Sequence, residues 1–408
     1  MTANNHQSIE TIAVRAGIET DSQHGAITPP LYLSSNYSFA GFDEKREFDY
    51  SRSGNPTRQL LGQALADLEG GFSGIVTSSG MSAIFAVLQL LKGGERILAP
   101  HDCYGGTFRL FKSYAEKGLI TLDFVDQTDE QALAAALEKK PKIVWIETPS
   151  NPLLRVVDIE KISKLAKQQG ALVAVDNTFL SPVFQKPLLL GADIVVHSTT
   201  KYINGHSDVV GGAVIAKDKQ VYEDIAWWAN CTGITGAAFD SFLTLRGLRT
   251  LDVRVQRHAK NASKLVDCLV AHPQVEHVYY PGLVGHPGHE IAKKQQSGFG
   301  AMISFKINGD VEKVKSFLSG LQVFSLAESL GGVESLICHP STMTHAAVSI
   351  EEQAIAGITQ NLLRVSVGIE NIDDLIDDFQ RGFDAVSEKE TYQNESPVAK
   401  LSVSSVTC

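Results

Sequence analysis

The sequence is poor in cysteine. Five thiols, Cys103, Cys231, Cys268, Cys338 and Cys408, are scattered over 408 residues, and no C-x-x-C pair occurs. That spacing argues against a zinc ribbon and against a disulfide framework, and unpaired thiols suit a reducing compartment. Basic residues are in deficit too: 36 Lys and Arg stand against 46 Asp and Glu, a formal net charge of −10. Such a balance argues against holding a phosphate backbone as the main task, so no nucleic-acid partner is expected. Long apolar runs are missing. The stretch 83–91 is among the longest, and it is too short to cross a bilayer. The opening MTANNHQSIE has neither the basic start nor the apolar middle of a secretory signal. The expectation is a cytoplasmic protein with no membrane partner. No G-x-G-x-x-G follows a strand-like run, which lowers a nicotinamide reading. The stretch SSGMSA is not the G-x-S-x-G elbow of a serine hydrolase. Internal repeats are absent as well.

What is present is an ordinary globular composition, 43% hydrophobic and 20% charged. The length exceeds one simple core, so a large domain and a smaller one are expected. Residues 1–62 show no clear helical period and hold ITPPLYLSSNYSF and DYSRSGNPTR, the composition of an extended arm lying on a neighbour. From residue 63 the apolar runs RILAP, LITLDFVDQ, KIVWIETPS, ALVAVDNTF, DIVVHSTTK and GAVIAK alternate with DEQALAAALEKK and DIEKISKLAKQQG. Short apolar runs between segments of helical spacing predict an α/β domain, 63–258, with a mostly parallel sheet covered on both faces. A long helical stretch at 252–272 then leads to HVYYPG, GAMISFKI and LLRVSVGIE, which read as strands with one wet face. That predicts a smaller α+β C-terminal domain over 259–390. Residues 391–408 are polar and aperiodic, and are expected to be a flexible tail.

Ligands of parallel sheets sit beyond the carboxyl ends of the strands, which directs attention to 101–106, 147–151, 176–178 and 197–201. Lys201 follows the apolar run Ile194-Val195-Val196 and stands among Ser198, Thr199 and Thr200. It is either a solvated cation past a strand or a reactive amine, since partial burial disfavours the ammonium. Asp176 ends ALVAV and is either a helix cap or a carboxylate for a pyridinium nitrogen. Gly80 and Met81 open a helical stretch and offer backbone N–H groups to an anion. Tyr104, before two glycines, is either a turn residue or a ring stacked on a flat cofactor. Arg364 sits in an alternating apolar run, where a charge must find a partner; a substrate carboxylate held in a fork would serve. A Schiff-base aldolase would need neither Asp176 nor Tyr104, and an inactive cofactor-binding protein would not need Arg364.

The stretches YSRSGNPTR, SSGMSA, PHDCYGGTFRLF, ETPSNPLLRVVDI, VDNTFLSP, HSTTKYINGHSDVVGG, RGLRTL, SLAESLGGVESL and RVSVGIE occur together and in this order in one family. On them the chain resembles the Cys/Met-metabolism enzymes that use pyridoxal 5′-phosphate (PLP), of the PLP-dependent transferase fold type I (aspartate-aminotransferase-like). The resemblance covers residues from about 11 to 385. It implies that Lys201 holds PLP covalently and moves protons, that Asp176 pairs with the ring nitrogen, and that Tyr104 stacks on the ring and acts in catalysis. Gly80, Met81, Ser198 and Thr200 would hold the phosphate, completed by Tyr50 and Arg52 of a neighbouring subunit. Arg364 would bind the substrate α-carboxylate with Asn151 beside it, and Ser329 and Asp49 would also line the substrate site. The assembly implied is a homotetramer, a dimer of active dimers.

Within the family, HDCYGGTFRLF, FVDQTDEQAL, AWWANCTGITGAAFDSFLTLRGLRTL and AESLGGVESL are most similar to members that replace the γ-acyloxy group of an O-acylhomoserine with L-cysteine. Members that eliminate at the γ-carbon share much of this pattern. At Ser53 the chain departs from members with an arginine there. Arg109 is a candidate fork for a succinyl carboxylate and Glu328 an anion for a distal amino group; the plain alternative is an ion pair on the rim.

Overall fold

The structure, a computed structural model, describes residues 7–346 and 349–395. Seven strands form the larger sheet: β1 (Ser73–Thr77), β2 (Arg96–Pro100), β3 (Thr121–Val125), β4 (Ile143–Glu147), β5 (Leu172–Asp176), β6 (Ile194–His197) and β7 (Gly212–Ala216). Their order is β1-β7-β6-β5-β4-β2-β3, parallel from β6 to β3, with β7 antiparallel to both of its neighbours. Helices cover both faces, and the alternation of side chains along a strand shows why the runs are continuously apolar. Val173 and Val175 of β5 pack with Leu61, Leu65 and Leu68 of a helix on one face. Ala174, between them, packs with Ala83, Ile84 and Val87 on the other.

The helices that matter for the site are α1 (Ile9–Arg15), α2 (Pro56–Glu69), α3 (Gly80–Leu88) and α4 (Gly105–Glu116). Asn55 caps α2 by accepting the Arg58 amide, with Pro56 at the first helical position, and Gly70 closes it in the left-handed region at φ 77°. Helix α2 lies directly on β1: a Cβ at Gly74 would stand 2.5 Å from the Gly62 carbonyl oxygen. Two glycines are therefore needed for this approach.

The second sheet holds β8 (Val275–Tyr279), β9 (Met302–Ile307), β10 (Ser325–Leu326), β11 (Leu336–Cys338) and β12 (Leu362–Ser366), in the order β10-β11-β12-β9-β8. The helices Leu251–Ala271, Val311–Gly320 and Ile372–Glu395 contribute Val255, Leu265, Phe317, Phe379 and Phe383 to its core. The mixed architecture is the α/β fold with an α+β partner that the strand pattern predicts.

Several expectations are corrected. The arm contains a helix, α1, whose seven residues are too few to show a period. The division at residue 62 falls inside α2, and that at 258 inside the helix Leu251–Ala271. The wet face expected in the second sheet is confined to its edge strands, β8, where Glu276 and His277 are exposed, and the two-residue β10; β12 is buried throughout. Residues 391–395 are no loose tail but the end of the helix Ile372–Glu395, and the rest of that segment lies outside the described residues. Among the described residues no helix is long and apolar enough to cross a membrane.

Candidate active site

Because β2, β4, β5 and β6 are parallel, the turns that follow them gather at one edge of the sheet. Lys201 sits in the turn after β6, half-buried, and its Nζ donates to Ser329 Oγ at 2.7 Å. Burial and then the positive charge of Arg364 push its pKa down from 10.5 to about 8, with Glu328 pulling the other way. The sign is that of a reactive amine: a neutral fraction exists near neutrality that a solvated lysine lacks. Ser329 has φ 85°, a left-handed backbone that costs a non-glycine residue of order 1–3 kcal/mol. In that pose its hydroxyl accepts from Lys201 while its carbonyl accepts from Arg364 Nη2 at 2.9 Å.

Arg364 lies on β12 and is only 3% exposed. Its Nη1 donates to Asn151 Oδ1 at 3.0 Å, and its Nε has no partner. No carboxylate neutralises it among the described residues, although a buried charge without one is costly. The arrangement is a fork waiting for an anion. Arg364→Ala is expected to raise KM for every amino-acid substrate, because all carry the α-carboxylate. A lost charge-assisted bond is worth about 1.5–3 kcal/mol, or about ten- to hundredfold. A loss limited to one substrate in steady-state assays would assign Arg364 to specificity instead.

Asp176 closes β5. It does not cap a helix, since the next one begins at Ser181. The Thr178 amide donates to its Oδ1 at 3.0 Å, and Thr178 Oγ1 in turn accepts the Ser198 amide at 2.9 Å. Burial raises the Asp176 pKa, against the hydrogen bonds of Thr178. Thr178 thus joins the ends of β5 and β6; the sequence places it in a candidate strand-end turn but gives it no role of its own, although its place two residues after an aspartate is a turn signal.

The N-terminus of α3 faces the same turn. Ser79 caps it by accepting the Ser82 amide, and the first amides of the helix, Gly80 and Met81, have no acceptor within it. A Cβ on Gly80 would stand 2.8 Å from Ser198 Cβ, so glycine is what lets the helix end and the Ser198 turn meet. Thr200 donates its hydroxyl to the Gly211 carbonyl at 3.2 Å and accepts the Gly211 amide at 2.9 Å. It can offer a proton to an anion only by releasing that carbonyl. Tyr104, 40% exposed, immediately precedes α4. A Cβ on Gly106 would stand 2.5 Å from its ring and 2.6 Å from Met81 Sδ, which places ring, helix end and Gly106 together.

Tyr50, Arg52 and Asp49 make their contacts with residues outside this cluster. Arg52 binds the Asn230 carbonyl and Oδ1 at 2.7 and 2.8 Å and lies 5.8 Å from the Tyr50 ring centre. Asp49 accepts from Lys45 and Ser53, and the Lys45 bond holds its pKa at about 2. Arg109 and Glu328 are both exposed. Arg109 Nη1 lies near Gly105, and the charge of Glu328 acts on Lys201 and Cys338. Sequence reading also missed Cys338, a buried thiol on β11 opposite Arg364, and His345, whose pKa burial lowers to about 4.

The chemistry of the donors narrows the ligand. An amine of depressed pKa calls for a carbonyl, the α3 end for an anion, Tyr104 for a flat ring, and Asp176 for a cationic nitrogen on it. A phosphorylated pyridine aldehyde meets all four, and the buried guanidinium of Arg364 suits a carboxylate. The fold and the site define a PLP-dependent enzyme, and the residues present fit that cofactor. The sequence profile of the Cys/Met metabolism PLP-dependent enzymes matches residues 10–384. The chain belongs to that family. It is 57% identical over 378 residues to cystathionine γ-synthase of Escherichia coli K12, covering 92% of this chain and 98% of that one. It is also 48% identical over 377 residues to cystathionine β-lyase of Lactococcus lactis subsp. cremoris MG1363, covering 92% and 99%. The crystal structure of cystathionine γ-synthase from Xanthomonas oryzae pv. oryzae in complex with cystathionine superposes with a TM-score of 0.93 at 56% identity, over 94% of this chain and 99% of that one.

Capture of the cofactor is expected to depend on pH through Lys201. If Lys201 is the residue that holds PLP, its neutral amine would be the reacting form, so the rate should rise with pH and level off above about 8. Glu328→Gln removes an anion that favours the ammonium, so the midpoint should fall. Stopped-flow mixing of cofactor-free protein with PLP measures this; a rate still climbing at pH 10 would mean a solvated lysine.

Proposed function

We propose that this enzyme joins an O-acyl-L-homoserine, O-succinyl-L-homoserine in the first instance, to L-cysteine, giving L-cystathionine and the free carboxylate. That is cystathionine γ-synthase activity, a step of methionine biosynthesis. The observation that carries it is the fork of Arg364 and Asn151 beside Lys201 and Ser329. It presents an amino acid's α-carbon to a mobile base, and the choice of reaction follows the 57% identical synthase.

PLP, when bound, supplies an electron sink for the substrate α-carbon. Everything else falls to the chain. Arg364 holds the α-carboxylate and thereby fixes the α-carbon. Lys201, on a long flexible stem, takes the α-proton, then serves the β-carbon, and returns protons once sulfur has added. A rigid carboxylate could not easily visit these positions in turn. Ser329 steers Lys201 between visits. Asp176 would offer its carboxylate to the ring nitrogen and so favour that nitrogen's protonated form. At the far end Arg109 offers its guanidinium to a succinyl carboxylate, and Glu328 its carboxylate to the amino group of the cysteine or cystathionine end.

The test is a panel of O-succinyl-, O-acetyl- and O-phosphohomoserine, each with and without cysteine. Cystathionine formed fastest from the succinyl ester supports the proposal. Cleavage of cystathionine outpacing its synthesis would favour the lyase reading, which the 48% identity to a β-lyase keeps in play.

The arm supplies a second part of the proposal: Tyr50 and Arg52 complete the phosphate site of a neighbouring subunit, within a homotetramer built of active dimers. Arg52→Ala and Lys201→Ala should each be deficient alone. Refolded together in equal amounts, they pair at random and about half of the dimers are hybrids, each with one intact site. Roughly a quarter of wild-type activity should return, by that pairing. Activity no greater than the parents' average would show that each subunit builds its whole site.

A further inference from the structure

The site contains a second buried carboxylate that the chemistry above does not use. Glu147 ends β4 and is 8% exposed. On the parallel sheet it is the register partner of Asp176 on β5, so the two acids end adjacent strands at the same level. Its Oε2 accepts the backbone amide of Tyr104 at 2.8 Å, and the Asn151 amide also serves it. No ion pair holds Glu147 among the described residues. The groups that act on the pair are few. Asp102 adds a further negative charge on Glu147. His197, at the end of β6, acts on Asp176 from the other side, and is itself held 2.6 Å from the buried Glu69. Cys103, buried in the same loop, is pushed up by burial and by both acids, Glu147 more than Asp176. Burial and the Asp176 charge also raise Glu147 well above the usual carboxylate range. Two adjacent acids, Glu147 buried and Asp176 half-buried, without a cation are costly, which implies that the missing charge is brought by the ligand.

We propose that Glu147 is a positioning residue for the cofactor ring: it fixes Tyr104 through that residue's backbone amide, and it ionises when a cationic ring nitrogen arrives, adding a second negative charge beside that of Asp176. One side chain thereby sets both the stacking face and the charged edge of the ring. The amide contact alone could be made by any acceptor. The charge could not, and this separates the proposal from a packing role.

The experiment uses the full chain stripped of PLP. Its ligands are PLP itself and the carbocyclic analogue with CH in place of the ring nitrogen, and binding is followed by fluorescence. Glu147→Gln keeps an oxygen for the Tyr104 amide and deletes the charge. It should weaken PLP about tenfold and leave the analogue within about twofold of wild type. Glu147→Asp keeps the charge and withdraws the acceptor by one methylene. It should weaken both ligands alike, preserving the wild-type preference for PLP. Should the glutamine variant not fold, the aspartate variant decides alone: loss of that preference overturns the proposal. So would a glutamine variant that binds PLP as wild type does, or that loses both ligands equally. The proposal rests on PLP as the cofactor, and wild-type protein that binds neither ligand would sink that assignment instead.

Discussion

Lys201→Ala should abolish turnover and leave the fold intact. The side chain is half-buried and its one described hydrogen bond runs to Ser329, so its removal frees a hydroxyl and opens little space. Partial burial disfavours the ammonium here, so removing that charge is no loss to the fold. Binding of PLP should survive in weakened form, because the α3 end, Tyr104 and Asp176 remain. Catalysis should not, because the proposed proton transfers at the α-carbon, β-carbon and γ-side are assigned to this one amine. The checks are circular dichroism for the fold and product formation for the chemistry. Activity above a few per cent of wild type would transfer the role of base to another residue.

Asp176→Asn should cost about 10²-fold in kcat, the scale of one electrostatic group aimed at the charge that develops in the transition state. The substitution is conservative in shape. The asparagine Oδ1 can keep the Thr178 amide, so the loop that also carries Ser198 stays in place. On the proposed assignment, what is lost is the carboxylate that would pair with the ring nitrogen, and with it the withdrawal of electrons from the substrate α-carbon. PLP should still attach to Lys201. Unchanged kcat would reduce Asp176 to the turn-maker that its bond with Thr178 already makes it.

The pattern of the sequence foretold the larger sheet because parallel strands buried on both faces carry unbroken apolar runs. The same logic found their ligand-bearing turns. β1 escaped because SGIVT spends two of its five positions on serine and glycine, and Gly74 is there for the approach of α2 rather than for strand propensity. β10 and β11, two and three residues long, are too short for any period. In the site, Lys201, Asp176 and Arg364 were legible because each is a charge at an apolar run. Ser329 and Asp49 came only from family resemblance. Glu147 and Thr178 fall in the strand-end turns that the sequence points to, but no role could be read for them because their importance lies in backbone amides they accept or donate, which leave no mark in composition or spacing.

The central claim is that Lys201 carries the cofactor. Holoenzyme reduced with borohydride and digested should yield one phosphopyridoxyl-bearing peptide, with the added mass on Lys201 in the stretch VVHSTTKYINGH. Modification of any other lysine, or none after reduction of protein saturated with PLP, would contradict the account.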